Sequence, residues 1–272
     1  MEFEKGSQLK GYIQKEIKDQ KIHSNYGYTY YFCRKFLEQL FNNSQNFVLK
    51  GSFSQFANLG KISRPLTDID MAVLSDMEFA NNMIISLTSH TDIIKYTIKQ
   101  QFITTNATIN YRLLCELDNI QHLITIDLRK ENDLDIVNKP LPKLFSKDQS
   151  FSVGAISLEE HLANKLYIAL LNLELNLKLG KEFRRIKDFY DIHTILSYGS
   201  FDERKVSELL NLRIKSDEFL NSYSLLGNLF DKEFLLDQQD SWNVNSQKYN
   251  FQDQVAFQET VEETNDLLSR MR

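Results

Sequence analysis

The stretch FVLKGSFSQFANLGKISRPLTDIDMAVL, residues 47–74, sets two apolar runs around a polar passage, and the second run carries Asp68 and Asp70 on either side of one isoleucine. Side chains at i and i+2 of a strand point the same way, so the two carboxylates share a face. A carboxylate buried without a partner is costly, and a like charge beside it adds repulsion. A hard divalent cation relieves both, because Mg²⁺ prefers oxygen ligands and often takes one or two carboxylates together with substrate phosphates. The pair therefore predicts a strand that serves a metal site.

Asp127 is the natural third member. It lies in LITIDLRK among Ile124, Ile126 and Leu128, again a carboxylate where an apolar residue would be cheaper in a strand. Three strand-borne aspartates suit a two-metal phosphoryl-transfer site, in which one ion activates the attacking hydroxyl and the other holds the triphosphate. Taken singly, each reads better as a strand-end or turn residue; taken together, the three favour the site. Gly51-Ser52, placed between the strand 47–49 and an expected helix start at 52–57, presents backbone N–H groups where a phosphate can sit, and the serine hydroxyl adds a donor or a cap. Arg64 is a candidate for bidentate phosphate contact, or a solvated side chain.

The apolar spacing predicts a helix over about 26–40 ended by Asn42 and Asn43, a strand at 69–74, a helix at 77–89, and strands at 101–116 and 121–129 joined by a hairpin at 117–120. Lys139-Pro140-Leu141-Pro142 is the strongest punctuation, and from Ser157 onward the pattern is helical. LNLELNLKL at 171–179 alternates like a strand, but it lacks β-branched and aromatic residues and continues a helical segment; it is expected to be helix, ended by Gly180. The expected organisation is an α/β domain over 1–155 with N-terminal helices, followed by a helical domain over 156–272.

Composition limits the alternatives. At 272 residues with 42% hydrophobic content the chain can bury a sizeable core. No apolar run approaches the ~20 residues of a membrane span, and the charged N-terminus lacks a signal-peptide core; the expectation is a cytoplasmic protein without membrane contact. Cys33 and Cys115 stand in no metal-ligand spacing and are expected to be buried free thiols. Residues 228–272 hold nine acids against four bases and so carry the whole net charge of −5. That balance argues against a general nucleic-acid coat. The acidic end, with Trp242 and an amphipathic stretch, is expected to be a closing helix; contact with a partner protein is the other reading. A basic knot, LKLGKEFRRIKD, holds Lys178, Lys181, Arg184, Arg185 and Lys187. It is read as a solvated face or as part of a site.

Gly51-Ser52 followed by Asp68-Ile69-Asp70 resembles the signature of the DNA-polymerase-β-like nucleotidyltransferase superfamily. The wider pattern, LKGSFSQF…SRPLTDIDM, then SLEEHLANKLYIAL, then FRRIKDFYDI, is similar to that of the AbiEii/AbiGii nucleotidyltransferase toxins of abortive-infection and type IV toxin–antitoxin pairs. The resemblance spans roughly residues 48–196. Many members read Gly-Gly where this chain has Gly-Ser, and the family's Ser/Thr two residues after the arginine is here Leu66, with Thr67 one later.

The resemblance implies an α+β fold, a polymerase-β-like nucleotidyltransferase domain with a small mixed sheet followed by a mostly helical domain. It implies NMP transfer from an NTP, with Mg²⁺ or Mn²⁺, to an acceptor such as a tRNA 3′ end, and a cognate antitoxin. It lays the metal aspartates on Asp68 and Asp70, the phosphate loop on Gly51 and Ser52, a lysine on Lys165, and an R-x-K-D aspartate on Asp188 beside Arg185 and Lys187. Asp127 is added from its strand pattern as a metal and catalytic residue, and Arg64, Lys165, Arg185 and Lys187 complete the expected nucleotide-binding set. If two helices turn at Gly180, Lys165 and Asp188 lie about 22 Å and about 12 Å from the turn at ~1.5 Å rise per residue. They are then expected to touch different parts of the substrate rather than each other. Arg184, Asp188 and Asp191 form one stripe of the second helix, with a surface ion-pair ladder as the plain reading; His161 and His193 are expected to pack. Two other functions share these residues: a silent nucleotidyltransferase fold that binds nucleotide or a partner, and a protein-directed nucleotidyltransferase.

Overall fold

The computed structural model describes all residues except 1–2, 21–22, 90–92, 105–107, 181, 184, 221–229, 249–250, 252–253 and 272. The chain forms two compact units, one of Met1–Lys61 with Pro65–Ile156, the other of Ile62–Arg64 with Ser157–Arg272. The three-residue exchange between them, Ile62–Arg64, has no signature in the hydrophobic pattern.

The first unit holds helices α1 (Gly6–Gln20) and α2 (Ser24–Asn43), strand β1 (Phe47–Leu49), helix α3 (Gly51–Leu59), strand β2 (Ile69–Val73) and helix α4 (Met77–Ser89). Strands β3 (Lys95–Thr104), β4 (Thr108–Leu117), β5 (Ile120–Lys130), β6 (Ile136–Pro140) and β7 (Ser152–Ile156) follow. They form one mixed seven-stranded sheet in the order β3-β4-β5-β2-β1-β7-β6. β2 runs parallel to β5, and β1 parallel to β7; the other neighbours are antiparallel. The β4–β5 hairpin closes Leu117 onto Ile120, with Asp118 at φ 52, a left-handed conformation that aspartate tolerates. Alternation then puts Ile109, Tyr111, Leu113 and Cys115 on one buried face. α2 packs against β5, and Phe36 meets Tyr96 edge-on at 5.4 Å. Cys33 and Cys115 are buried free thiols.

The expected single strand over 101–116 is in fact the end of β3 and most of β4, paired antiparallel from Thr104↔Thr108. No Gly or Pro at 105–107 announces the reversal, so the period-2 signal runs straight through it. The Pro140 punctuation closes β6, the last strand of the sheet order, where a residue without an N–H is tolerated. The sheet then continues into β7, which was not foreseen.

The second unit is helical: α5 (Leu158–Leu179), α6 (Ile186–Tyr198), α7 (Glu203–Ser216), α8 (Lys232–Lys248) and α9 (Phe257–Arg270). The alternating LNLELNLKL is indeed the C-terminal part of α5. Ser157 caps its start by accepting from the Glu160 N–H, and Gly180 ends it at φ 61. α6 packs against α5, α8 and α9. Its Phe189 ring lies 4.9 Å from Phe230 and 5.8 Å from Phe257, while Trp242 stacks on Phe257 at 5.0 Å. α9 buries Phe257, Val261, Leu267 and Leu268, so the acidic end is a packed closing helix. Among the described residues no helix is long and apolar enough to cross a membrane.

Candidate active site

The parallel register of β2 and β5 sets Asp70 directly against Asp127, and the antiparallel register of β4 and β5 sets Asn110 against Asp127. Three polar side chains thus line up across adjacent strands on one face of the sheet. Their neighbours Ile69, Ile126 and Leu128 point to the opposite face and are fully buried. Asp70 and Asp127 themselves are half-buried, as is Asp68 one residue before β2. The premise of a carboxylate pair inside a buried strand is therefore corrected: the acids occupy the less covered face.

Asn110 donates its amide to Asp127 Oδ1. Burial nonetheless holds the Asp127 carboxyl above its usual range; the Asn110 hydrogen bond opposes this and the charge of Asp68 reinforces it. Thr67 Oγ1 donates to Asp68 Oδ1 at 3.0 Å, which gives Thr67 a role that the sequence left open. Asn110 was missed by sequence reasoning, although the β4–β5 register, once the hairpin is fixed, points to it.

Gly51 opens α3 at φ +54, and the Lys50 N–H donates to the Asp70 carbonyl at 2.8 Å. A Cβ on Gly51 would overlap Asp70 Oδ2, so only glycine lets the loop approach this carboxylate. No side chain caps α3. The Ser52 hydroxyl is buried and has no hydrogen-bond partner among the described residues, an unusual state for a native polar group. An orphaned donor in the first turn of a helix, beside N–H groups that lack intrahelical partners, is a chemical fit for phosphate oxygen.

For a metal the fit is narrower than three aspartates suggested. Among the described residues no group of three or more His, Cys, Asp or Glu side chains is arranged to hold an ion. The oxygen donors of Asp68, Asp70 and Asp127 fit Mg²⁺ in the manner that leaves most positions to water and substrate phosphate.

In the second unit the structure overturns the expectation that Lys165 and Asp188 stay apart. Lys165 Nζ donates to Asp188 Oδ1 at 2.6 Å and to Asp191 Oδ2 at 2.7 Å. The expectation assumed helix from Gly180 onward. Instead α6 begins only at Ile186, with Glu182, Phe183 and Arg185 outside it. Non-helical chain covers more than twice the distance per residue of a helix, so Asp188, in the first turn of α6, is carried back to Lys165. Arg185 Nε donates to Asp188 Oδ2 at 2.5 Å, and Arg64 grips Asp191 through Nε at 2.7 Å and Nη2 at 3.0 Å.

Asp188 and Asp191 are fully buried, so the surface ladder is replaced by an internal network; Arg184 and Lys181 lie outside the described residues. Lys187 is half-buried on α6. Burial alone would raise the Asp191 carboxyl, but Arg64 and Lys165 outweigh it and hold the group well below the carboxylate range. Burial likewise opposes the charge on Lys165, and Asp188 with Asp191 more than restores it. Arg64 and Lys165, expected on phosphates, thus have carboxylate partners within their own unit. Asp191 was not among the expected site residues; its importance depends on a contact 127 residues away that no local pattern signals.

His161 is buried with neither ring nitrogen hydrogen-bonded among the described residues. Burial first, and Lys165 second, push its pKa down to about 3, consistent with a packing role. His193 packs on α6 and also places Nδ1 2.7 Å from Glu263 Oε2.

Residues 35–263 match the family model described as nucleotidyl transferase AbiEii toxin, type IV toxin–antitoxin system. The chain belongs to this family. It is accordingly a nucleotidyltransferase of the AbiEii toxin family. Among solved structures it is similar to JHP933 from Helicobacter pylori, at 13% identity and a TM-score of 0.51 over 88% of this chain and 91% of that one. It is also similar to a putative nucleotidyltransferase from H. pylori, at 13% identity and a TM-score of 0.52 over 88% of this chain and 93% of that one. At such identities the likeness concerns the fold, and it agrees with the mixed sheet followed by helices. No curated protein matches the sequence significantly.

Proposed function

We propose that this AbiEii-family protein transfers a nucleoside monophosphate from an NTP to an RNA acceptor, a tRNA 3′ end being the first candidate, with a divalent cation at the β2–β5 carboxylates. The observation that carries the reading is one cluster of features in the first unit. Asp70 lies in register with Asp127, a glycine without room for a Cβ sits against Asp70, and the buried Ser52 hydroxyl beside it lacks a partner. Acids that favour a cation and donors that favour phosphate, on consecutive elements, match the two halves of a metal–triphosphate complex.

In this proposal the acceptor hydroxyl oxygen attacks the α-phosphorus, the bond from that phosphorus to the bridging oxygen of the β-phosphate breaks, and pyrophosphate leaves. Asp127 takes the hydroxyl proton. Gly51 and Ser52 cradle phosphate oxygens. Asp68 and Asp70, with Asp127, would hold Mg²⁺ or Mn²⁺, which when bound neutralises triphosphate charge. Lys165, Asp188, Arg185 and Lys187 are proposed, on the family resemblance, to reach the nucleotide or acceptor; Lys165 also bonds Asp188 and Asp191, and Asp188 also receives Arg185. A cognate antitoxin is the proposed protein partner.

The test is incubation of the protein with Mg²⁺, each α-³²P-labelled NTP in turn and total bacterial RNA, beside Asp68→Ala. Label on a tRNA-sized band with wild type alone is the expected result. Label on protein would make the enzyme protein-directed. Bound nucleotide without any transfer would favour the silent module.

A further inference from the structure

Strand register carries the acid row of the first unit beyond the carboxylates. Asp70 faces Asp127, Asp127 faces Asn110, and Asn110 faces Phe102 of β3, which begins the sheet order as an edge strand. Residues directly opposite one another share a face, so Phe102 stands on the carboxylate face, two strands from Asp127. At ~4.8 Å between strands that is about 10 Å, a span comparable to a ribose with its base. Phe102 is 57% exposed. The opposite face of the same strands is closed, with Tyr96, Tyr111, Leu113, Ile124 and Ile126 buried there.

Two cations flank the row on its own face. Arg112 lies two residues from Asn110 along β4, and Arg129 two residues from Asp127 along β5. Both are exposed. Arg112 Nη1 donates to Gln100 Oε1 at 3.4 Å, and Arg129 Nε lies 3.5 Å from Glu131 Oε1, which also receives Lys50 Nζ at 2.5 Å. Such long contacts in water contribute little and exchange readily for a phosphate.

The row also has a direction. Gly51 lies against Asp70, so the phosphate cradle of Gly51 and Ser52 is at the Asp70 end. In phosphoryl transfer the attacking and leaving oxygens are roughly in line on opposite sides of the phosphorus. With pyrophosphate leaving toward Gly51-Ser52, the attacking hydroxyl arrives from the Asp127 end, where β4 and β3 continue the sheet. An exposed ring on which any base can stack, with guanidinium groups for the backbone, suits unpaired RNA.

We propose that this open face of β3–β5 is the docking surface for the unpaired 3′-terminal nucleotides of the RNA acceptor. Phe102 stacks the base of the attacking nucleotide, and Arg112 and Arg129 take phosphates of the nucleotides before it. The surface presupposes an RNA acceptor, as in the proposed function, and is separable from it by experiment.

The ligand for the test is a fluorescent RNA hairpin with a single-stranded CCA end closed by 3′-deoxyadenosine, which offers no 3′ hydroxyl. Fluorescence anisotropy with the full chain and Mg²⁺ reads its Kd without turnover. Equilibrium dialysis with each NTP reads nucleotide affinity, and thermal unfolding reads stability. Phe102→Ala is expected to weaken the RNA about tenfold while NTP affinity and unfolding temperature stay as in wild type. Phe102→Trp, which keeps a ring face, should bind like wild type. Phe102→Leu, which keeps only apolar bulk, should resemble Phe102→Ala. Arg112→Gln and Arg129→Gln should each flatten the slope of log Kd against log salt by about 0.7. Ile103→Ala is the control: Ile103 is 71% exposed beside Phe102, but it pairs with Ile109 on the other face, and its loss should leave the RNA bound as before.

Unaltered RNA affinity in Phe102→Ala overturns the inference, leaves the RNA acceptor standing and returns this face to other partners such as a protein. Weakened NTP with RNA affinity kept overturns it too, since the ring would then serve the nucleotide. If wild type itself does not bind the hairpin, the RNA acceptor fails and the surface falls with it, an outcome distinct from the other two.

Discussion

Gly51 carries two constraints at once: a left-handed backbone at φ +54 and a Cβ position already taken by Asp70 Oδ2. Gly60 carries only the first, since its φ is +68 and nothing lies within 4 Å of an added Cβ. Alanine at either site costs about 1–2 kcal/mol of backbone strain. Gly51→Ala must also displace Asp70. The expected outcome is a similar fall in unfolding temperature for both variants, with nucleotide transfer lost more than about tenfold only in Gly51→Ala. Equal losses of activity would show that strain, not the Asp70 carboxylate, is what matters. At this scale Asp68, Asp70 and Asp127 were legible from period-2 patterning, and Gly51-Ser52 from its place after a strand. The unpartnered state of Ser52 and the amide from Asn110 were not, because each depends on which strand lies alongside.

At the scale of elements, α5 and α6 enclose three cations, Arg64, Lys165 and Arg185, against two carboxylates, Asp188 and Asp191. Removing Lys165 still leaves one arginine to each acid. Removing Asp191 strips Arg64 of its fork and leaves a buried excess of positive charge. Lys165→Met is therefore expected to cost on the order of 1 kcal/mol, and Asp191→Ala about 3–5 kcal/mol, as for a broken buried pair. Denaturant unfolding of both variants checks the order, and a larger loss for Lys165→Met would contradict it. Where unfolding shows Lys165→Met to be folded, a loss of transfer in that variant is not a consequence of global unfolding.

The helices themselves were well announced. α4 matches its expected span, and LNLELNLKL resolves as helix because propensity and the Gly180 stop agree against the period. The strands beyond the central hairpin were harder. β6 and β7 are five residues each, and between β3 and β4 the sequence offers neither Gly nor Pro. The Lys165–Asp188 pair was misread for the same kind of reason, since a few non-helical residues moved it by more than a helical turn.

For the whole molecule, a chain of two compact units need not unfold in one step, and their responses to acid can differ. His161 belongs to the second unit and is packed neutral, its folded pKa pushed down to about 3 against an unfolded value near 6.5. The sign follows from proton uptake. As pH falls below about 6.5 the unfolded ring takes a proton that the folded ring refuses, so the contribution to stability is complete above that pH and is lost progressively down to about 3. The slope for one such group approaches about 1.4 kcal/mol per pH unit. His122, in the first unit, is also lowered by burial and acts in the same direction. His161→Leu removes the larger shift and two buried ring nitrogens that have no hydrogen-bond partner among the described residues, so it is expected to leave stability at neutral pH unchanged or slightly higher. The variant should also lose less stability than wild type between about pH 6.5 and about pH 4.5, by roughly 2 kcal/mol. Calorimetry across that range reads both quantities. A variant whose unfolding temperature falls with acid as steeply as wild type would mean that His161 is not the group that makes the helical unit sensitive to acid.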